Sequence, residues 1–113
     1  MKYDLEERTI AFSKKIIFLC NELNKDPLTR PIALQLIRSA TSIGANYCEA
    51  NGASTKKDFR NKIHISKKEA QETRYWLKVL DDNPKINKEL LGELMNETQE
   101  LIKIFASIAV KCK

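Results

Sequence analysis

Basic side chains recur at helical spacing between residues 57 and 78. At about 100° per residue, one stripe of a helix contains Lys57, Arg60, His64, Lys67, Gln71, Arg74 and Lys78. We call these residues the basic stripe, and no acid lies on it. Cations about 5–6 Å apart along a helix can neutralise successive phosphates of a nucleic acid. The alternative interpretation is a solvated helix face without a ligand.

The start of this helix favours the phosphate interpretation. Lys56 and Lys57 stand in its predicted first turn, where the helix dipole disfavours cations. A bound anion relieves that conflict, because a helix N-terminus and nearby lysines both attract phosphate. The predicted nucleic-acid-binding residues are Lys56, Lys57, Arg60, His64, Lys67, Arg74 and Lys78.

The sequence lacks the usual patterns of catalytic and metal-binding residues. His64 is the only histidine and has no obvious nucleophile to activate, so hydrogen bonding or stacking is its expected role. The sequence contains no Glu-x-x-His pair, no GxSxG elbow, no CxxC pair and no Gly-rich phosphate loop. We therefore predict that the protein is not an enzyme and has no catalytic residue, no metal and no cofactor.

The elements that position the basic stripe follow from apolar spacing and from the placement of Pro and Gly. Apolar residues recur every three or four positions in long runs separated by breakers, which predicts helices over about 4–24, 30–51, 55–81 and 86–112. Thr29 and either Ser54 or Thr55 are the candidate N-caps of the second and third helices. Long helices joined by short turns favour an all-α, antiparallel up-down-up-down four-helix bundle. We expect residues 1–113 to form one domain.

The predicted core faces are apolar stripes with small residues in the third helix. In the first helix the stripe is Leu5, Thr9, Phe12, Ile16, Leu19 and Leu23. In the third helix it is Phe59, Ile63, Ser66, Ala70, Thr73, Leu77 and Leu80. In the fourth helix it is Leu90, Leu94, Leu101, Phe105, Ile108 and Cys112.

Charge and cysteine usage indicate the compartment and the partner. Residues 56–81 hold eight bases and four acids, which accounts for +4 of the net charge of +5. No apolar run approaches the roughly 20 residues needed to span a bilayer, and the N-terminus is charged, so we expect a cytoplasmic protein without a membrane partner. Cys20, Cys48 and Cys112 are widely spaced, which is typical of small buried hydrophobes in a reducing compartment.

The second helix carries more apolar surface than a small bundle can cover. Between residues 31 and 53 only Arg38 and Glu49 are charged, and the apolar arc extends past half a turn. We predict that another chain covers the remainder, which makes the protein an oligomer. An asymmetric bundle that buries the whole helix is the alternative.

The polar residues beside that arc need partners. Glu69 and Glu72, on the third-helix flank that also carries Trp76, are candidate partners of Arg38, within one chain or across an interface. Tyr75 and Trp76 could stack on bases or anchor a subunit contact. The predicted residues of oligomer or helix packing are Arg38, Ser42, Gly44, Asn46, Glu49, Glu69, Glu72 and Trp76.

Small residues in the second helix indicate a close packing seam. Gly44, together with Ser39, Ala40 and Ala45, lowers helix propensity but permits close approach of another backbone. We expect the small centre of the third helix, around Ala70, to face part of this seam.

Several motifs resemble those of the bacterial four-helix-bundle proteins encoded in intervening sequences of 23S ribosomal RNA, which are related to the accessory variability protein of diversity-generating retroelements. The similarity rests on the segment from Arg38 to Asn46, on Glu49 and Gly52, and on three later segments that span 57–59, 69–73 and 76–77. It covers nearly the whole chain.

The resemblance implies a ring-like homopentamer without catalysis, whose basic surface binds nucleic acid. We therefore predict that the basic stripe binds nucleic acid non-specifically, with RNA favoured over DNA. The alternative function is a protein-interaction scaffold that recruits a partner such as a reverse transcriptase through the second helix and the Trp76 flank. An assembly without any ligand is the third possibility.

Overall fold

The computed structural model describes residues 4–112, and this part of the chain contains four α-helices and no strand. They are α1 (Leu5–Leu19), α2 (Arg30–Asn51), α3 (Lys56–Leu80) and α4 (Lys88–Lys111), with a short 3-10 helix at Leu23–Lys25. Their buried faces share one hydrophobic core, and the bundle measures 44 × 26 × 20 Å.

Contacts between the helices show that neighbours run antiparallel. The Lys62–Glu49 ion pair of 2.7 Å and the Ser66–Ile43 hydrogen bond of 2.9 Å join later residues of α3 to earlier residues of α2. The same reversed order holds where α1 meets α2 and α4, and where α3 meets α4. The predicted antiparallel arrangement of the four helices is therefore confirmed within one chain.

The predicted helix ends are right for α2 and α3 and wrong for α1. α1 ends at Leu19 because the chain turns there and continues as the 3-10 helix. Thr29 precedes α2 but does not cap it, since its hydroxyl donates to the carbonyl of Leu23 at 2.7 Å. Thr55 caps α3, and its hydroxyl oxygen accepts a hydrogen bond from the backbone N–H of Asp58 at 3.0 Å.

The predicted core is confirmed in α1 and nearly so in α3, where only Phe59 is half-buried. In α4 the prediction is partly wrong, because Leu90, Ile108 and Cys112 lie at the edge of the core. The residues buried in α4 are Leu91, Leu94, Thr98, Leu101, Phe105 and Ala109. Thr98 can be buried because its hydroxyl donates to the Leu94 carbonyl at 2.7 Å, which satisfies the polar group within its own helix.

The small residues of α2 divide between two neighbouring helices. The hydroxyls of Ser39 and Thr73 lie 2.9 Å apart across the α2–α3 seam, as the small centre of the third helix predicts. Gly44 instead faces α1, where a Cβ atom added to it would lie 2.6 Å from Thr9 Oγ1. Gly44 therefore sets how closely α1 and α2 approach.

The cysteines do not share one environment. Cys20 is buried, and that burial raises the pKa of its thiol to about 11, so the group stays neutral as a small hydrophobe does. Cys48 is exposed and Cys112 is half-buried, so the prediction of three buried cysteines is wrong for both.

We expect Gly44→Ala to destabilise the fold by about 1–3 kcal/mol, because the new methyl group overlaps Thr9 and forces α1 outward. The higher helix propensity of alanine works against this loss by about 1 kcal/mol. Urea unfolding measures the difference. Gly92→Ala is the matched control, since Gly92 lies in α4 with nothing within 4 Å of an added Cβ, and it should be neutral or stabilising. Equal stability of the two variants would contradict the close approach at Gly44.

Candidate nucleic-acid interface

The basic stripe lies on the side of α3 that faces α4. Arg60 Nη1 donates to the backbone carbonyl of Cys112 at 3.4 Å, and Arg74 Nη1 donates to Gln99 Oε1 at 2.9 Å. These contacts place the stripe along one wall of the groove between the two helices, which we call the α3/α4 groove. Lys56 lies at its end beside Phe59 and Lys111.

The cations of the basic stripe have no carboxylate partner. Among the ion pairs within residues 4–112, none includes a residue of the stripe or Lys56. The neighbouring Lys62, which is not on the stripe, pairs with Glu49 of α2 at 2.7 Å. The positive charge along the α3/α4 groove is therefore left for an outside anion.

The acids of α4 point to other surfaces. Glu93 and Glu97 pair with Lys15 and Arg8 of α1, at 2.5 Å and 2.6 Å. Glu100 lies 4.0 Å from Lys103 of its own helix. The α4 wall of the groove consequently does not cancel the charge of the α3 wall.

A shallow cavity of about 360 Å³ lies in the middle of this groove. Its lining residues are Arg60, His64, Lys67, Ala106, Ala109 and Val110. Arg60 and Lys67 are half-buried and His64 is exposed. The cavity combines positive charge on α3 with small apolar side chains on α4, and no carboxylate lines it.

On the opposite side of α3, four of the predicted packing residues form one cluster around the side chain of Arg38. The Arg38 guanidinium of α2 binds both Glu69 and Glu72, and Trp76 Nε1 donates to Glu72 Oε2 at 3.1 Å. We call these four residues the Arg38 cluster. Both partners of Arg38 come from its own chain, so the cluster does not require a second subunit.

Electrostatics holds the Arg38 cluster in its charged form. The hydrogen bond from Trp76, followed by that from Arg38, keeps the pKa of Glu72 below its ordinary value. The hydrogen bonds that Arg38 makes to Glu72 and Glu69 raise the pKa of its guanidinium above the ordinary value. The Glu72 carboxylate is therefore ionised at neutral pH, and it faces α2 and not the α3/α4 groove.

The remaining predicted packing residues serve their own chain. The Ser42 hydroxyl donates to the Arg38 carbonyl at 2.7 Å, and Asn46 Nδ2 donates to the Ser42 carbonyl at 2.8 Å. Glu49 is exposed and pairs with Lys62, while Gly44 is buried against α1. These contacts lie within α2 or pack it against α1 and α3.

The predicted uncovered apolar arc of α2 is present, but sequence reasoning missed that α1 adds to it. Ile10 and Ile17 of α1 and Leu34 of α2 are each about half exposed, and Ile37 is half-buried beside them. Helical position puts these residues on one outer side of the α1–α2 pair, and we call them the α1/α2 face. The seven-residue spacing of Ile10 and Ile17 was the available signal, but it lies outside the main stripe of α1.

A second groove separates α1 from α4, and its charge is mixed. One cavity in it measures about 430 Å³ and is lined by Lys14, Lys15, Phe18, Asn87, Glu89, Leu90 and Glu93. Acids on this wall repel phosphate, so the larger groove is the poorer site for a nucleic acid.

Two further properties of residues 4–112 bear on function. None of the described helices combines the length and apolar character needed to cross a lipid bilayer. Over the same residues, no three His, Cys, Asp or Glu side chains form a group that could hold a metal ion.

Comparisons with known proteins agree on a family. Residues 1–107 match the family described as 23S rRNA-intervening sequence protein. The chain is also similar to a crystal structure of a protein with unknown function from the S23 ribosomal protein family of Bacteroides thetaiotaomicron. The two are 36% identical with a TM-score of 0.84, over 92% of this chain and 96% of that chain. No curated protein matches the chain.

Proposed function

Because the chain belongs to the 23S rRNA-intervening sequence protein family, we propose that it is a non-catalytic, cytoplasmic protein that binds RNA through the basic stripe. The observation that carries this proposal is the row of cations along the α3/α4 groove, which has no carboxylate partner in the described chain. The family description names a ribosomal RNA intervening sequence, which favours RNA over DNA as the ligand.

The energetics of α3 support an anionic ligand. Lys56 and Arg60, and again Arg74 and Lys78, are like charges four residues apart, a spacing that destabilises an isolated helix by about 0.2–0.5 kcal/mol per pair. A bound phosphate replaces this repulsion with attraction and releases counterions. The dipole at the start of α3 adds to the attraction near Lys56.

Charge reversal tests the RNA-binding surface. The triple variant Lys57→Glu, Lys67→Glu and Lys78→Glu avoids Arg60 and Arg74, which hold α4 through hydrogen bonds. In mobility-shift assays with structured RNA at several salt concentrations, we expect weaker binding. The slope of log affinity against log salt should flatten by about 0.7–0.9 per lost phosphate contact.

The matched control reverses Lys14, Lys25 and Lys85, which lie on α1, on the 3-10 helix and against Asp26 of the α1–α2 connection, and give the same change in net charge. Binding that weakens equally in both triple variants would assign the effect to net charge alone and remove the basic stripe from the proposal.

We also propose that the chain assembles as a homo-oligomer through the α1/α2 face. Large apolar side chains that stay half exposed on one side of two neighbouring helices are typical of a protein–protein interface. The Arg38 cluster is complete within one chain, so it does not carry this role. The family resemblance implies five subunits arranged as a ring.

Sedimentation equilibrium tests the assembly. A pentamer has about five times the 13.0 kDa mass of one chain. We expect Leu34→Glu to shift the protein towards the single-chain mass, because it places a charge in the apolar contact. The control is Tyr75→Glu, an equally exposed position on α3. An unmodified protein that sediments as a single chain at micromolar concentration would contradict the oligomer.

A further inference from the structure

We propose that the α3/α4 groove takes single-stranded RNA, with one unpaired base seated in the cavity between Arg60 and Lys67. This inference rests on the proposed function and goes beyond it, since charge alone does not distinguish a single strand from a duplex. It stands on three features of the groove: an apolar wall, the spacing of the cations around the cavity, and two exposed rings on one line of α3.

The cavity is large enough to hold a flat ring. Its volume of about 360 Å³ lies within the range of about 300–1,000 Å³ that is usual for small-ligand sites. The α4 wall consists of Ala106, Ala109 and Val110, and Val110 is 65% exposed. A phosphate gains nothing from that apolar wall, whereas the face of a nucleobase can be buried against it.

The cations stand where the backbone on either side of such a base would pass. Arg60 and Lys67 are seven residues apart, which corresponds to about 10 Å along the helix axis. His64 lies between them, one turn from each, and it is exposed. An imidazole ring at the mouth of the cavity can stack on the inserted base, while the two cations bind the flanking phosphates.

A second aromatic side chain, that of Tyr75, lies on the same face of α3 as His64. Tyr75 follows His64 by 11 residues, close to three full turns, so the two side chains project in nearly the same direction about 16 Å apart. Tyr75 is 59% exposed and packs edge-to-face on Trp76 with ring centroids 5.0 Å apart. The Trp76 ring is in turn fixed by its hydrogen bond to Glu72. Tyr75 is therefore a preordered platform for a further base.

A duplex uses neither the apolar wall nor the exposed rings. Its bases are stacked and paired inside the helix, so neither the cavity nor the exposed rings gain a partner, and only the phosphates reach the cations. A positively charged groove combined with aromatic side chains is the arrangement that single-strand-binding proteins use. The groove consequently favours a strand whose bases are free.

Fluorescence anisotropy with three RNA ligands tests the inference on the unmodified protein. The ligands are an unstructured strand of about 12 nucleotides, a strand of equal length that lacks the bases, and a duplex of equal length. We expect the complete single strand to bind at least about fivefold more tightly than either of the others, because stacking contributes only there.

A variant locates the effect in the cavity. Ala106→Leu fills the cavity without changing charge, and it should reduce the affinity for the complete single strand about fivefold while leaving the other two ligands unchanged. Ser107→Leu is the matched control, since Ser107 is the next residue of α4, is exposed and does not line the cavity. Thermal unfolding of both variants checks that the bundle remains folded.

The possible failures are distinguishable. If the protein binds all three ligands with equal affinity and charge reversal in the basic stripe weakens each of them, the proposed function stands and the single-strand inference is overturned. If the protein binds none of the three ligands, the proposed function itself fails and this inference fails with it.

Discussion

A guanidinium on α2 holds two acids of α3 on the flank that faces α2. Arg38 binds Glu69 and Glu72 on the flank that faces α2, and Trp76 closes that cluster with a hydrogen bond to Glu72. Exposed ion pairs contribute little to stability, about 0–1 kcal/mol each. The importance of this cluster is therefore that it keeps the carboxylates of Glu69 and Glu72 on the α2 side of α3. With these carboxylates turned towards α2, the opposite flank of α3 presents cations alone.

The same separation of charge is repeated on α4, and the two helices together form the proposed RNA-binding surface. Glu93 and Glu97 turn towards α1, where Lys15 and Arg8 neutralise them. The α3/α4 groove is left with the basic stripe on one wall and small apolar residues on the other. The hydroxyls of Ser39, Ser66 and Thr73 bring α2 and α3 close together, which fixes the rotation of α3 and thus the direction of the stripe.

Sequence periodicity was sufficient for helices with one clear apolar stripe. The four helices, the Thr55 cap, the core stripe of α1 and, apart from Phe59, that of α3 are confirmed. The family resemblance, which rests on motifs and not on periodicity, is confirmed as well. Periodicity failed in α4, where a threonine satisfied by its own helix is buried and the apolar Leu90 is not. Periodicity also did not show that, among the small residues of α2, Gly44 faces α1 while Ser39 faces α3. Which helix a small residue faces depends on the handedness of the packed bundle.

The sequence predicted the α3 residues of the candidate site but not the groove that they form together with α4. Spacing identified the basic stripe and suggested Glu69 and Glu72 as partners of Arg38, yet a single helix does not reveal that its neighbour contributes Ala106 and Val110 to the same groove. The α1 part of the α1/α2 face was missed for a similar reason, since Ile10 and Ile17 join the apolar arc of α2 only once the two helices are packed together. Two-helix surfaces require the tertiary arrangement, which short-range patterns do not contain.

The location of bound RNA is the most direct test of the charge separation around α3. Ultraviolet crosslinking of the unmodified protein to RNA, followed by mass spectrometry of the crosslinked peptides, reads that location without any substitution. Crosslinks are expected in the α3 segment that contains His64 and Tyr75 and in the α4 segment that contains Ala106. Crosslinks confined to α1 and α2 would contradict the assignment of the α3/α4 groove.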